Sequence, residues 1–579
     1  MDWILTLSLL AGVFAQRAAK LAPRSHAVAL SLIPGAGFAW FVAKLPTIDT
    51  APVVTASVGW QTAFTGEFFL KLDGLGVLMC ALICFNGFFN VHYARAYAGS
   101  AAKSGPLLQR LFLLMAGMLC FVMADHLLLM FVAWEWMALV TWSLVAHKRE
   151  SSANRRAANQ VLAVNALSGA LLLVSVITLA EAAGTCRISE MLDRTAVIAA
   201  HPLYPVMIGG VIGAALIRSA QVPFHYWLPL TIVAPTPASV AFSMVKAGVL
   251  LLARFHPVLG GTEAWGFTLM SAGIVTLLWG AVAGLTKTDL KEILAYTTLT
   301  ALGLVTAFFG LGTPLAVKSA LLFLFGQVLY KTTLFMVAGV AEERFEHRDA
   351  RRMGGLLHLM PATAFAAMLA ALSKAGFPPL FGAAKKTAIL STATEEFLPL
   401  FLLIPAMFAN LSMLAMIFYV GVHPFWFRRK EPPTGMARGE PALGMTVGIV
   451  VTGISALVLG LFVESLARPL LMPAVGAVYG EPVMYSISPW WSLTYHKALG
   501  VVTIALGLLV YASRWEFWPK HGLESSPTLP ERLLEALTPR MEAVGRGWTF
   551  LLTRALLSFA AIVAFAVLIG FFLIVAVLQ

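Results

Sequence analysis

The chain has 579 residues, of which 59% are hydrophobic and only 12% charged, and its mean hydropathy is +0.84. Repeated apolar runs of about 20 residues exclude a soluble domain, and the absence of alternating strand patterns excludes a membrane β-barrel. The net charge of +12 fits a cytoplasmic loop bias rather than a nucleic-acid surface, since no basic run is interleaved with aromatics.

In chain order the hydropathy predicts an all-α polytopic membrane protein of about 16 spans. They fall near 3–16, 26–45, 68–91, 106–124, 126–146, 158–180, 205–224, 236–257, 266–285, 290–311, 317–341, 357–392, 398–421, 441–463, 496–513 and 549–578. The first run follows an acid, Asp2, and reads as a span rather than a cleaved signal. Basic clusters then test the count. Arg17, Lys20 and Arg24, then Arg95, Lys103 and Arg110, then Lys148, Arg149, Arg155 and Arg156 fall on one side. So do Arg344, Arg348, Arg351 and Arg352, then Arg428, Arg429 and Lys430, then Arg514 and Lys520. The opposite loop, 46–66, has no Lys or Arg. The basic side is cytoplasmic by the positive-inside rule, which puts both termini outside. Residues 530–548, amphipathic but interrupted by Pro539, read as a short cytoplasmic surface helix or a solvated linker.

Two segments are interrupted in similar ways. "IRSAQVPFHYWLPLTIVAPTP" (217–237) breaks at Pro223 and Pro229, and "LSKAGFPPLFGAAKKTAIL" (372–390) breaks around Gly376, Pro378, Pro379 and Gly382. A helix broken within a membrane is tolerated only against protein or a watery cavity. A matching pair of such breaks predicts two inverted repeats, of about five helices each. The expected division is 1–105 for the first three spans, 106–258 and 266–421 for the repeats, and 422–579 for the C-terminal spans.

The charges inside these apolar runs are the candidate functional residues. Glu135 stands in "LLLMFVAWEWMALVTWSLVA" with no partner on its own helix, and Arg218 is its expected partner. Lys246, Lys331 and Lys386 are further cations in apolar surroundings. One such group reads equally as a structural pair, but five in successive spans form the series of ionisable groups that a proton relay needs. Lys374 and Lys385 beside the second break, His225 beside the first, and Asp125 at a span end are secondary candidates. His225 lines a water pocket or packs with a hydrogen bond; Asp125, with His126, caps a surface or receives ions. Asp289 and Lys291 read as a cytoplasmic helix start, and Trp134, Trp136 and Trp142 as packing or interface aromatics. The four cysteines, Cys80, Cys84, Cys120 and Cys186, lack metal-ligand spacing, and no phosphate loop is present, so no cofactor or metal is expected.

The phrases "DHLLLMFVAWEWMALVTWSLVAH", "RSAQVPFHYWLPLTIVAPTP", "MVKAGVLLLARFHPVL", "TDLKEILAYTTLTALGLV", "RDARRMGGL" and "AGFPPLFG" resemble, in order over about 60–450, the antiporter-like subunits of complex I and Mrp-type sodium/proton antiporters. The wording is most similar to the large A-type component of Mrp antiporters. The resemblance implies a bacterial inner-membrane subunit of a hetero-oligomeric cation/proton antiporter, moving protons with or without coupling to Na⁺. It implies that Glu135 is the acid of a Glu–Lys pair, Lys331 the second-half lysine and Lys386 the terminal base. This chain departs from the pattern at four places. Arg218 replaces the pair lysine, a histidine is missing from "FSMV", Phe323 and Gln327 replace two histidines, and Thr387 replaces an acid. Two rivals follow: a membrane-arm subunit of a redox-driven pump (complex I, a membrane hydrogenase or a bicarbonate-concentrating relative), whose redox chemistry would belong to partner subunits, or a non-conducting scaffold.

Overall fold

In a bilayer every backbone polar group needs a partner within the chain, so long apolar runs fold as helices. The computed structural model describes residues 2–23, 25–48, 54–62, 66–147, 151–244, 246–395, 399–427, 439–480 and 494–517, with positions 483, 487 and 543. Thirteen helices in it are long and apolar enough to cross a membrane. The chain is a multi-pass, all-α membrane protein.

The N-terminal part contains α1 (Asp2–Leu21), α2 (His26–Ile48), α3 (Gly74–Ala98), α4 (Ala101–Met123), α5 (Leu127–Val145) and α6 (Ser152–Ala183). Between α2 and α3 lies an antiparallel hairpin, β1 (Val54–Thr62) and β2 (Gly66–Leu72). The predicted span at 68–91 therefore begins too early. Residues 66–72 alternate as a strand, and Asp73 then caps α3 by accepting from Gly76 N at 2.8 Å. Short pieces α7 (Ile188–Met191) and α8 (Thr195–Ala200) lead to α9 (Tyr204–Arg218). The first break follows, with α10 (Trp227–Leu230), α11 (Thr236–Met244) and α12 (Ala247–Leu259).

The second part contains α13 (Glu263–Leu285), α14 (Leu290–Leu311), α15 (Pro314–Phe345), α16 (Pro361–Ala375), α17 (Phe381–Glu395), α18 (Pro399–Gly421) and the short α19 (His423–Trp426). The chain continues through α20 (Leu443–Leu461), α21 (Arg468–Tyr479) and α22 (Tyr495–Phe517). Two predicted spans arrive as shorter pieces: 205–224 as α9, and 357–392 as α16 and α17. The predicted last span, 549–578, and all of the amphipathic segment 530–548 except position 543 lie outside the described residues, as do Arg24, Lys148, Arg149, Arg428, Arg429, Lys430 and Lys520.

Small residues bring the central helices together. A Cβ on Gly273 of α13 would meet the backbone of Gly303 and Ala307, and one on Gly303 would meet that of Gly273 and Leu277. Close backbone approach of this kind replaces the hydrophobic driving force that lipid removes. α14 and α15 are thereby enclosed on nearly all sides, whereas α1, α2 and α22 lie at the periphery. Lys291 on α14 and Lys331 on α15 consequently face protein.

Candidate functional site

Three interruptions position the site. α9 stops at Arg218, and residues 219–235 cross as turns and short helical pieces before α11. α11 and α12 are separated at Lys246, an interruption without a proline or glycine signal that the sequence does not announce. α16 stops at Ala375, with Gly376 at φ +86°, and α17 resumes at Phe381. Gly376 takes a backbone conformation that L side chains rarely adopt.

Glu135 is held against α6. Its carboxylate occupies the space a Cβ on Gly169 would need, and Oε1 is buried without a hydrogen-bond partner. Among the described residues Arg218, its expected partner, acts on it electrostatically rather than through a direct ion pair. The physical reason is that Trp134, one residue earlier, takes the guanidinium. Arg218 Nη2 donates to the Trp134 carbonyl at 3.0 Å, and its fork lies 4.8 Å from the Trp134 ring centroid. Arg218 Nη1 has no hydrogen-bond partner. Trp134 is therefore more than the packing aromatic that the sequence suggests.

A cavity of about 40 Å³ joins this region to the next, with room for water beside a few polar groups in a mainly apolar wall. Arg218, Thr141, Asn165, Lys246 and Thr298 line it. Lys246 is 2% exposed and its Nζ has no hydrogen-bond partner. Lys331 is fully buried on α15, donates to the Leu294 carbonyl at 3.0 Å and also bonds Thr298 Oγ1. Thr298 thus touches both the cavity and Lys331. Nothing in "LAYTTLTALG" separates it from the neighbouring threonines that bond their own helix.

At the second break, lysines meet the carbonyl end of α16. Lys386 Nζ donates to Ala375 O at 3.0 Å and Lys385 Nζ to Lys374 O at 3.4 Å. These are carbonyls the broken helix leaves without intrahelical partners, at the negative end of its dipole. Lys374 and Lys385 each lie over the rings of Phe323 and Tyr330.

The other candidates stand apart. Asp125 is buried at the end of α4 and anchors the loop before α7. It accepts from Ser189 N at 2.8 Å, Ser189 Oγ at 2.7 Å and Arg187 Nε at 3.3 Å. Asp125 thus caps the start of α7, and beside it His126 caps α5 by accepting from Leu128 N at 3.2 Å. His225 accepts from Trp279 Nε1 at 3.0 Å. Asp289 caps α14 through the amides of Lys291 and Glu292, and its carboxylate meets Arg348 Nε at 2.7 Å. Burial lifts that carboxyl above the usual carboxylate range despite Arg348 beside it. Lys291 reaches across to Glu342 of α15 at 2.7 Å. The sequence missed a further buried pair, Arg254 of α12 with Asp73, since the two lie far apart in the chain.

Two wide vestibules flank this interior, at opposite ends of α15. One, of about 530 Å³, is lined by Tyr97, Lys103, His147, Glu342 and Glu343. The other, of about 520 Å³, is lined by His256, Glu263, Trp265, Gly312 and Tyr479.

Residues 124–412 match the family model described as NADH:quinone oxidoreductase/Mrp antiporter, transmembrane. Over that segment the chain belongs to the antiporter-like family of Mrp and complex I membrane subunits. It is 33% identical over 475 residues to a probable A/B-type component of a K⁺/H⁺ antiporter from Rhizobium meliloti, covering 80% of this chain and 47% of that protein. It is 29% identical over 534 residues to the A-type component of a Na⁺/H⁺ antiporter from Alkalihalophilus pseudofirmus, covering 86% of this chain and 66% of that one. The chain thus spans about half to two thirds of the length of these relatives. Among solved structures, the Mrp complex of Dietzia sp. DQ12-45-1b superposes with a TM-score of 0.79 at 26% identity, over 97% of this chain and 63% of that one. Respiratory complex I of Thermus thermophilus matches in fold, with a TM-score of 0.70 at 22% identity, over 82% of this chain and 99% of that one.

Within this antiporter-like architecture, the positions where the resemblance led one to expect histidines have a specific structure. Phe323 is one wall of the lysine cage. Gln327, one turn along α15, is buried with neither amide atom bonded.

Proposed function

We propose that this chain is the ion-translocating subunit of a hetero-oligomeric, Mrp-like cation/proton antiporter, moving protons with or without coupling to Na⁺. One observation carries the reading. Glu135 and Arg218 interact electrostatically, Arg218 and Lys246 share a cavity, and Lys246, Lys331, Lys374, Lys385 and Lys386 are linked by electrostatic contacts in the enclosed interior. Each buried charge carries a desolvation penalty that packing alone does not reward. Moving one charge against 100 mV requires about 2.3 kcal/mol, a magnitude that small changes in the environment of a buried lysine match. The names of the relatives favour an antiporter rather than a redox-driven arm.

In this reading 106–258 and 266–421 are inverted repeats, each centred on its broken helix. The protein sits in a bacterial cell membrane with both termini outside, and other membrane subunits assemble with it. Glu135 and Lys386 are the two groups whose loss stops transport. The test is dye-reported proton flux in vesicles containing the whole purified complex. Glu135→Gln and Lys386→Ala should each lower flux at least tenfold, about 1.4 kcal/mol in barrier, with assembly unchanged. Wild-type flux in both variants rejects translocation through this subunit.

A further inference from the structure

The second break holds an arrangement that the proposed series does not by itself explain. Lys374 Nζ lies 4.7 Å from the Phe323 ring centroid and 4.9 Å from that of Tyr330. Lys385 Nζ lies 4.9 Å and 4.8 Å from the same two centroids. Two amines therefore share one pair of aromatic faces. Such faces attract a cation through the ring quadrupole, most strongly where water is excluded. All four side chains are buried.

Among the described residues the surroundings supply positive charge and no counter-charge. Lys331 on α15, Lys246 at the α11–α12 interruption and Lys386 on α17 are the charged groups that act on this pair. Among the described residues no ion pair joins an acid to any of these five lysines. The acids of α15 and α17, Glu342, Glu343 and Glu395, lie at the helix ends. Two full charges on the shared faces would repel each other with nothing to offset them. Hydrogen bonding is asymmetric as well. Lys385 donates to Lys374 O, whereas Lys374 Nζ, Tyr330 Oη and both amide atoms of Gln327 have no hydrogen-bond partner. Unsatisfied buried polar groups within a turn of one another are where water enters a protein interior.

We infer that Lys374 and Lys385, walled by Phe323 and Tyr330, form a single-charge cation cage that passes one proton between Lys331 and Lys386. The step balances simply. An N–H bond breaks on one protonated lysine, directly or through water, and an N–H bond forms on the neutral amine of the other. The positive charge moves with the proton, and no electron changes hands. The cage does what imidazoles on α15 would do, with titration moved from α15 onto α16 and α17. This inference rests on the translocation reading above.

The experiment uses the complete complex in phosphatidylcholine/phosphatidylglycerol vesicles carrying a pH-sensitive dye. Lys374→Met and Lys385→Met should each cut flux tenfold or more, with subunits co-eluting in the wild-type ratio. Arg at either position keeps the charge and the aromatic contact but holds its proton. Lys374→Arg and Lys385→Arg should therefore be as inactive as the Met variants, and wild-type flux in either Arg variant overturns the cage. Should an arginine variant fail to assemble, Lys385→His provides the second arm. Its flux profile should move to lower pH, because imidazole releases its proton more readily than an amine. A profile superimposable on wild type counts against the inference. Glu135→Gln is measured in parallel. If it is inactive while both Met variants keep full flux, the cage is refuted and translocation stands. If it too keeps full flux, both readings fall together.

Discussion

The two broken helices handle charge by opposite means. At the first break an acid and an arginine lie close without touching. Arg218 is fastened to Trp134 through its carbonyl and ring, and Glu135 sits in a notch that Gly169 leaves open. At the second break no acid pairs with a lysine among the described residues, and three lysines sit on carbonyl oxygens of α16 and on two aromatic faces. Carbonyls and ring quadrupoles favour a cation more weakly than a carboxylate does, and a neutral amine can stay among them. The first break is built to keep a fixed positive charge beside a carboxylate. In the proposed reading, the second lets positive charge come and go.

The largest expected effects test that contrast at both ends. Glu135→Gln and Lys386→Ala remove the carboxylate of one break and the last amine of the other, and vesicle flux should fall at least tenfold in each. A full loss in one and none in the other would confine transport to a single break. Gly169→Ala should come next. Its methyl group would meet the Glu135 carboxylate, and overpacking of this kind costs about 1–3 kcal/mol. The expected result is a several-fold loss of flux at normal assembly, relieved when Glu135→Asp shortens the acid.

Arg218→Lys sharpens the comparison further. An amine that can deprotonate replaces a guanidinium that does not. The flux of this variant should fall at alkaline pH relative to wild type while changing less than twofold near neutrality. An unchanged pH profile would mean that the charge at the first break need not be fixed. The smallest effect is expected away from both breaks. Asp289→Asn keeps a capping side chain on α14 but gives up the charge facing Arg348. Melting of the detergent-solubilised complex should show a loss of about 1 kcal/mol or less.

Much of this organisation is written in hydropathy and local chemistry. Both breaks are legible because Pro223, Pro378 and Pro379 interrupt their helices and Gly376 takes a positive φ. Glu135, Lys246, Lys331 and Lys386 stand out because a lone charge in an apolar run is rare. The interruption at Lys246 carries no such residue and was invisible. The hairpin at 54–72 escaped because its second strand, hydrophobic enough to extend a span, merges with α3 in any hydropathy window. The strand portion of that run pairs with β1, which only the folded backbone shows.

The sequence by itself determined that this is a polytopic helical membrane protein, that two of its spans are broken, and that ionisable groups lie at membrane depth. Those features depend on residue type and spacing along one segment. The tertiary structure alone decided that Trp134 holds the Arg218 guanidinium, that Thr298 touches both the central cavity and Lys331, and that Phe323 and Tyr330 flank two lysines. Each of these is a meeting of helices from distant parts of the chain. Which side chains meet there depends on how close small residues let the backbones approach, and no single segment encodes that.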